Sequence, residues 1–421
     1  MISRLRRRRA GAVLLAAALA LSLAGAGSTA TSSGTSEGIW VSPAELAELP
    51  TEGVAWATLQ QAADGRLGRA KVRNQDSDHD VRTLAVALVY ARTGDESYRE
   101  KAADAIDDAI GSEEDGRTLA LGRNLVSYVI AADLIRLGEY DSDLDEEFRD
   151  WLDEVRTERL DDDRNLIQAH EERPNNWGAH AGASRIAADI YLGDTADLER
   201  AADVFRGYLG DRLAYSGFEF GNLSWQADPD QPVGVNPEGA VKEGVSIDGA
   251  LPDDMRRGDD FENPPEHTDY PWEALQGAVV AANLLDRAGY DAWEWEDQAL
   301  RRAVQYLYDL DAEYGGWAAE GDDLFVPWLV NDAYGTDFPT TEPVLNGKNM
   351  GWTDWTHRGA LPPTPGVAPP PPPVAEEAED EEESGAPVAL IAGLAALGIV
   401  VAGALAVVLL RRRRPEKPLA E

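Results

Sequence analysis

Cysteine is absent from this 421-residue chain. Its absence excludes a disulfide framework, cysteine-ligated zinc, iron–sulfur clusters and thiol nucleophiles. Lysine is scarce, with five among 38 basic residues, and those 38 face 77 acidic ones for a net charge of −39. Residues 10–360 alone hold 28 basic and 68 acidic side chains, a net of −40. A body that acidic repels phosphate backbones, so nucleic acid is excluded as a partner. A salt-rich habitat or a GC-rich genome would each explain the shortage of lysine. With 39 Gly and 24 Pro the chain is neither collagen-like nor low-complexity, and 43% hydrophobic content supplies a core.

The two ends read as targeting segments. Arg4 and Arg6 to Arg9 precede an apolar run over 10–23, and Ala24–Gly25–Ala26 follows with the small-x-small pattern of a cleavage site. Residues 1–26 are therefore expected to be a secretory signal peptide. Residues 388–410 form an uncharged apolar stretch of bilayer-spanning length, and Arg411 to Arg414 follow at once. The positive-inside rule places the tail 411–421 in the cytoplasm and the body outside. Residues 361–387, proline-rich and then acidic, make an extended stalk. Leu361–Pro362–Pro363–Thr364–Pro365 lacks the glycine that a sortase signal needs. The expectation is an exported, cell-surface protein on a single-pass anchor.

The body, 38–360, carries helical periodicity and a repeat. Apolar-rich helices are expected at 81–93 and 98–110, at 183–192 and 198–209, and at 275–287 and 295–310. Gly94–Asp95, Gly193–Asp194 and Ala288–Gly289 separate the partners, Gly closing one helix and Asp opening the next. The copies lie about 100 residues apart, so each period should span two helical hairpins, with a further helix at 119–137. No comparable length alternates with period two. The fold class is all-α, an (α/α) toroid built as an incomplete barrel of helical hairpins, with a solenoid as the second choice.

Three stretches carry the candidate chemistry. In Arg173–Pro174–Asn175–Asn176–Trp177–Gly178–Ala179–His180, Asn176 and His180 are four apart and share a face if a helix begins near Asn175. The plainer alternative is an Asn cap and a buried histidine. Residues 217–270 show scant periodicity and hold Trp225, Arg256, Arg257, His267 and Tyr270. Their arginines are either site residues or ion-pair partners of Asp253, Asp254, Asp259 and Asp260. Residues 315–357 carry Trp317, Trp328, Trp352 and Trp355. Tryptophans there either stack on sugar rings or pack the closure of the ring of helices.

Four segments in order carry a resemblance. They are Asn175–Asn176–Trp177–Gly178, Asp248–Gly249–Ala250–Leu251–Pro252–Asp253–Asp254–Met255–Arg256–Arg257–Gly258, Tyr270–Pro271–Trp272–Glu273–Ala274–Leu275–Gln276–Gly277 and Gly347–Lys348–Asn349–Met350–Gly351–Trp352–Thr353–Asp354–Trp355. Over roughly 72–357 the chain resembles the alginate lyase-like families of polysaccharide lyases. The resemblance implies an (α/α) toroid that cleaves uronic-acid polymers by β-elimination, with Asn, His, Arg and Tyr at the site. In better-known alginate lyases the Asn and His are adjacent; here Trp177 follows Asn176 and the histidine arrives at position 180.

Elimination from a uronate chain needs those residue types. The C5 proton is barely acidic until the C6 carboxylate is neutralised, a task for guanidinium and amide donors. A base then takes that proton and an acid protonates the departing O4. Asn176 and Arg257 are assigned to neutralisation, Tyr270 to acid and candidate base, and His180 to base or polariser. His267 competes with His180. Trp177, Trp225, Arg256 and Trp352 are assigned to substrate binding, and Arg256 is the alternate for Arg257. The expected partner is an acidic polysaccharide. No cofactor is required, and a structural Ca²⁺ is left open. Two other readings remain: a toroid glycoside hydrolase with a carboxylate pair, and a surface protein that binds polysaccharide without cutting it.

Overall fold

A computed structural model describes residues 38–344 and 347–359. The expected signal peptide, stalk, membrane helix and basic tail lie outside the described residues. Among the described residues no helix is long and apolar enough to cross a membrane.

The body is mostly helical, with 15 α-helices among the described residues. In chain order they are α1 (Pro43–Glu48), α2 (Val54–Asp64), α3 (His79–Thr93), α4 (Glu96–Asp107), α5 (Thr118–Leu134), α6 (Leu137–Tyr140), α7 (Ser142–Val155) and α8 (Leu166–Glu172). Then follow α9 (Asn176–Leu192), α10 (Thr195–Leu209), α11 (Pro252–Met255), α12 (Tyr270–Arg287), α13 (Trp295–Tyr314), α14 (Val326–Tyr334) and α15 (Thr353–Thr356). Strands β1 (Val241–Lys242) and β2 (Val245–Ser246) form a two-residue antiparallel ladder, Val241 facing Ser246.

The hinges are those the sequence announces. Gly94 and Gly193 take left-handed backbone (φ 71° and 73°), and Asp95 and Asp194 cap the next helix by accepting from the N–H groups of Ser97 and Asp197. Each hinge folds an outer helix back on an inner one. The inner helices α3, α5, α9 and α12 are buried almost all round, whereas α4, α7, α10 and α13 bury one face. Inner helices pack in order, α3 on α5, α5 on α9 and α9 on α12. Then α12 meets α14, α14 meets α15, α15 meets α2 and α2 meets α3.

Two glycines set the spacing at the centre. A Cβ on Gly277 of α12 would lie 2.4 Å from the Ala179 carbonyl carbon and 2.5 Å from the His180 nitrogen. A Cβ on Gly122 of α5 would lie 2.9 Å from the Ala181 nitrogen. The backbone of α9 is thus gripped at His180 from both sides.

Two expectations change. Every expected helix except α13 starts earlier than the periodicity indicates: α9 begins at Asn176 because Asn175 caps it, accepting from the Trp177 N–H at 3.1 Å. The first period contains the hairpin α3–α4 and then α5, α6 and α7, with α7 packed on α4, α6 and α9. The second contains α9–α10, and residues 211–269 stand where another hairpin was expected. That loop is pinned by Arg302 of α13, which donates to the Asn236 carbonyl at 2.9 Å and to Asp248 at 2.6 Å.

Candidate active site

Helices α5, α9 and α12 meet at one carboxylate. Glu273 Oε2 lies 2.7 Å from Asn176 Nδ2 and 2.5 Å from Arg123 Nη2. Asn176 is anchored again through its backbone N–H, which donates to Asp254 Oδ1 at 3.1 Å. Next to it the Asn175 amide donates to Asp253 at 2.8 Å. Burial first, and then the neighbouring Asp253 carboxylate, push Asp254 well above the usual carboxylate range.

One turn along α9, His180 shares the face of Asn176, as the spacing indicates, and both are fully buried. The His180 Nδ1 lies 3.1 Å from the amide of Asn349, whose backbone is left-handed (φ 81°) and whose carbonyl accepts from Ser127 of α5 at 2.8 Å. Among the described residues His180 Nε2 has no hydrogen-bond partner. Burial, followed by the charges of Arg123 and Lys348, holds His180 well below its ordinary pKa, so the ring is neutral.

The arginine pair divides its work. Arg256 makes a two-point contact with buried Asp253 (Nε at 2.7 Å, Nη2 at 3.1 Å), and Asp253 also accepts from the Gly221 N–H. Asp253, held by Arg256, therefore ties Gly221 to α11. Arg257 is exposed, and its guanidinium lies over the Tyr270 ring, 4.0 Å from the centroid. Arg257 follows Asp254, the anchor of Asn176; Tyr270 lies three residues before Glu273, the other anchor. Arg257 and Tyr270 are thus in direct contact, and Asn176 is joined to a near chain neighbour of each, Asp254 and Glu273.

Other candidates are placed elsewhere. His267 is half exposed, 3.6 Å from Asp269 and edge-on to Trp317. Trp225 is buried, edge-on to Phe261, with its N–H on the Asp259 carbonyl. Trp352 is buried with its N–H on the Val81 carbonyl. Trp352 has no exposed ring face on which a sugar could stack, and Trp225, assigned to substrate binding, is buried at the wall of the cavity beside α13. Trp317, Trp328 and Trp355 are likewise buried, so the C-terminal tryptophans pack the core. Trp177 is half-buried between the guanidinium groups of Arg117 and Arg173, at 5.3 Å and 4.3 Å.

Sequence reasoning gave no role to Arg123 or Glu273, which contact Asn176 or its partner, and none to Asn349, which contacts His180. Glu273 and Asn349 stand inside the quoted motifs, which was a usable signal. Arg123 sits mid-helix with none. A cavity of about 480 Å³ between the long loop and α13 is lined by Glu238, Asp248, Glu262, Asp309 and Glu313 among others. These five carboxylates outnumber Arg301 and Arg302 in its wall, a balance that disfavours a polyanion. Among the described residues no group of three or more His, Asp or Glu side chains is placed to hold a metal ion.

A protein built of packed helical hairpins, with the Arg257 guanidinium on the Tyr270 ring at the start of α12 and the Asn176 amide at the start of α9, fits a polysaccharide lyase. The sequence model of the family described as alginate lyase matches residues 48–314, more than half of the chain, and the protein belongs to that family. It is a polysaccharide lyase. No curated protein and no solved structure matches the chain.

Proposed function

We propose that the protein cleaves a uronic-acid polysaccharide (alginate, glucuronan or a similar chain) by β-elimination, outside the cell and held to the membrane. Arg257 on the ring of Tyr270 carries the reading, because it sets a fixed positive charge beside a group able to pass a proton. Arg257 and Asn176 neutralise the C6 carboxylate. Tyr270 O⁻ takes the C5 proton, the electron pair forms the C4–C5 double bond, the C4–O4 bond breaks, and the Tyr270 O–H returns the proton to O4. His180, fully buried and neutral, is given the part of polariser rather than base. The packing order from α3 to α12, continued through α14, α15 and α2, supports an incomplete (α/α) toroid.

Ultraviolet absorbance of the products tests the activity. Elimination from alginate, glucuronan or pectate creates an absorbing unsaturated uronate. Hydrolysis gives a reducing end without that band, and a binding protein gives neither. The address rests on the sequence of residues 1–26 and 388–414. A protein ending at Ala360 should enter the medium while the full chain stays with the cells. Both in the medium would refute the anchor; both in the cytoplasm would refute the signal peptide.

A further inference from the structure

Glu273 is half open while the two groups it binds are closed off. Its side chain is 30% exposed, that of Arg123 is 5% exposed, and Asn176 is fully buried. Two buried donors from two helices converge on a single oxygen of a carboxylate that reaches in from a third. Arg123 is only half used by it. Nη2 binds Glu273, but among the described residues Nε on the same side-on edge has no partner. A guanidinium edge of that kind prefers a carboxylate that takes both N–H groups. The geometry is that of a carboxylate-binding site whose present occupant satisfies it incompletely.

We infer that Arg123 and Asn176 form the subsite for a uronate carboxylate, and that Glu273 is an internal stand-in which the substrate displaces. The inference rests on the lyase reading for its choice of ligand. It accounts for a feature otherwise at odds with that reading: Asn176, assigned to the substrate, is covered, and Glu273 is what binds its amide. Placement agrees with the chemistry. Glu273 and Tyr270 are three apart on α12 and share a face. A carboxylate seated at Glu273 Oε2 thus lies beside the residue that takes the proton from the adjoining carbon.

A tethered carboxylate competes at high effective concentration, so a small free anion cannot evict it. A polymer can, because Arg257 and further subsites add to its binding. Removing the stand-in should therefore open the subsite to both.

The test is chemical rescue in the full chain. Glu273→Ala should melt below wild type and recover saturably with sodium formate or sodium glucuronate, but not with sodium chloride at equal ionic strength. Wild type should not respond, and Arg123→Ala on the Glu273→Ala background should abolish the response. Equal effects of formate and chloride, or rescue that survives loss of Arg123, would overturn the inference. Should Glu273→Ala not fold, Glu273→Gln serves in its place. With polymer, its KM should fall about tenfold or more, because the competent fraction rises. An unchanged KM with a lower kcat would instead make Glu273 a mere support for Asn176 and refute the stand-in. If wild type cleaves no uronate polymer the lyase reading fails, and the formate titration still decides whether a carboxylate site exists.

Discussion

The guanidinium of Arg257 rests on the face of Tyr270, 4.0 Å from the ring centre, although 12 residues of irregular chain separate them. Their contact couples the loop before α12 to its first residue. It also fixes what each substitution should do. Tyr270→Phe keeps the ring on which Arg257 sits and removes only the hydroxyl. Turnover should fall about 10²–10⁴-fold, with melting temperature and substrate binding near wild type. Arg257→Ala should weaken binding and turnover together. A Tyr270→Phe enzyme that forms the unsaturated product at nearly the wild-type rate would remove Tyr270 from the mechanism.

Gly277→Ala should be among the most damaging single-methyl changes in the body. The added Cβ meets backbone atoms of Ala179 and His180 at 2.4–2.6 Å, so no side-chain rotation relieves it. Overpacking of this kind costs about 1–3 kcal/mol, read as a lower urea midpoint. Gly122→Ala, whose nearest atom is 2.9 Å away, should cost less. The reverse order would mean that α5, not α12, sets the position of α9.

Acid should weaken the fold through His357. This ring is buried edge-on to Trp40, and burial lowers its pKa from 6.5 to about 3. Above pH 6.5 both folded and unfolded chains leave it neutral, and nothing is lost. Below 6.5 the unfolded chain takes up a proton that the folded chain refuses, so stability falls by up to about 1.4 kcal/mol per pH unit. His357→Asn removes this penalty. The stability gap between wild type and variant, wide at pH 7.5 through lost packing, should narrow toward pH 4.5. A gap constant across that range would show that His357 takes up its proton when folded.

Salt should stabilise the protein. Carboxylates in a body of net charge −40 repel one another. Raising NaCl from 0.01 M to 1 M shortens the Debye length from about 30 Å to about 3 Å. The melting temperature should climb across that series, and a flat response would show that local ion pairs already cancel the repulsion.

Much of the architecture was legible because its signals are local. Gly94–Asp95 and Gly193–Asp194 encode a left-handed cap and a new helix start within two residues, and the Asn176–His180 spacing encodes a shared face. What failed was non-local. Arg123 and Glu273 are 150 residues apart, and no periodicity ties an inner-helix arginine to a first-turn glutamate. Trp317, Trp328, Trp352 and Trp355 could be read two ways because a tryptophan that packs a core and one that stacks on sugar are the same letter. Burial separates them, and burial is a property of the whole fold.

The last described residues reach back to the first. Trp355 donates to the Pro50 carbonyl, Trp352 to that of Val81, and Ser127 to that of Asn349. A growing chain therefore holds its inner helices long before it holds the residues that tie them off. Catalytic competence should appear late in synthesis and abruptly, when residues 347–356 become available. A chain stopped at Gly335 should retain helical circular dichroism yet lack turnover, and supplying residues 336–360 as a separate peptide should restore it. The timing of activation is written into the order in which the polypeptide is made.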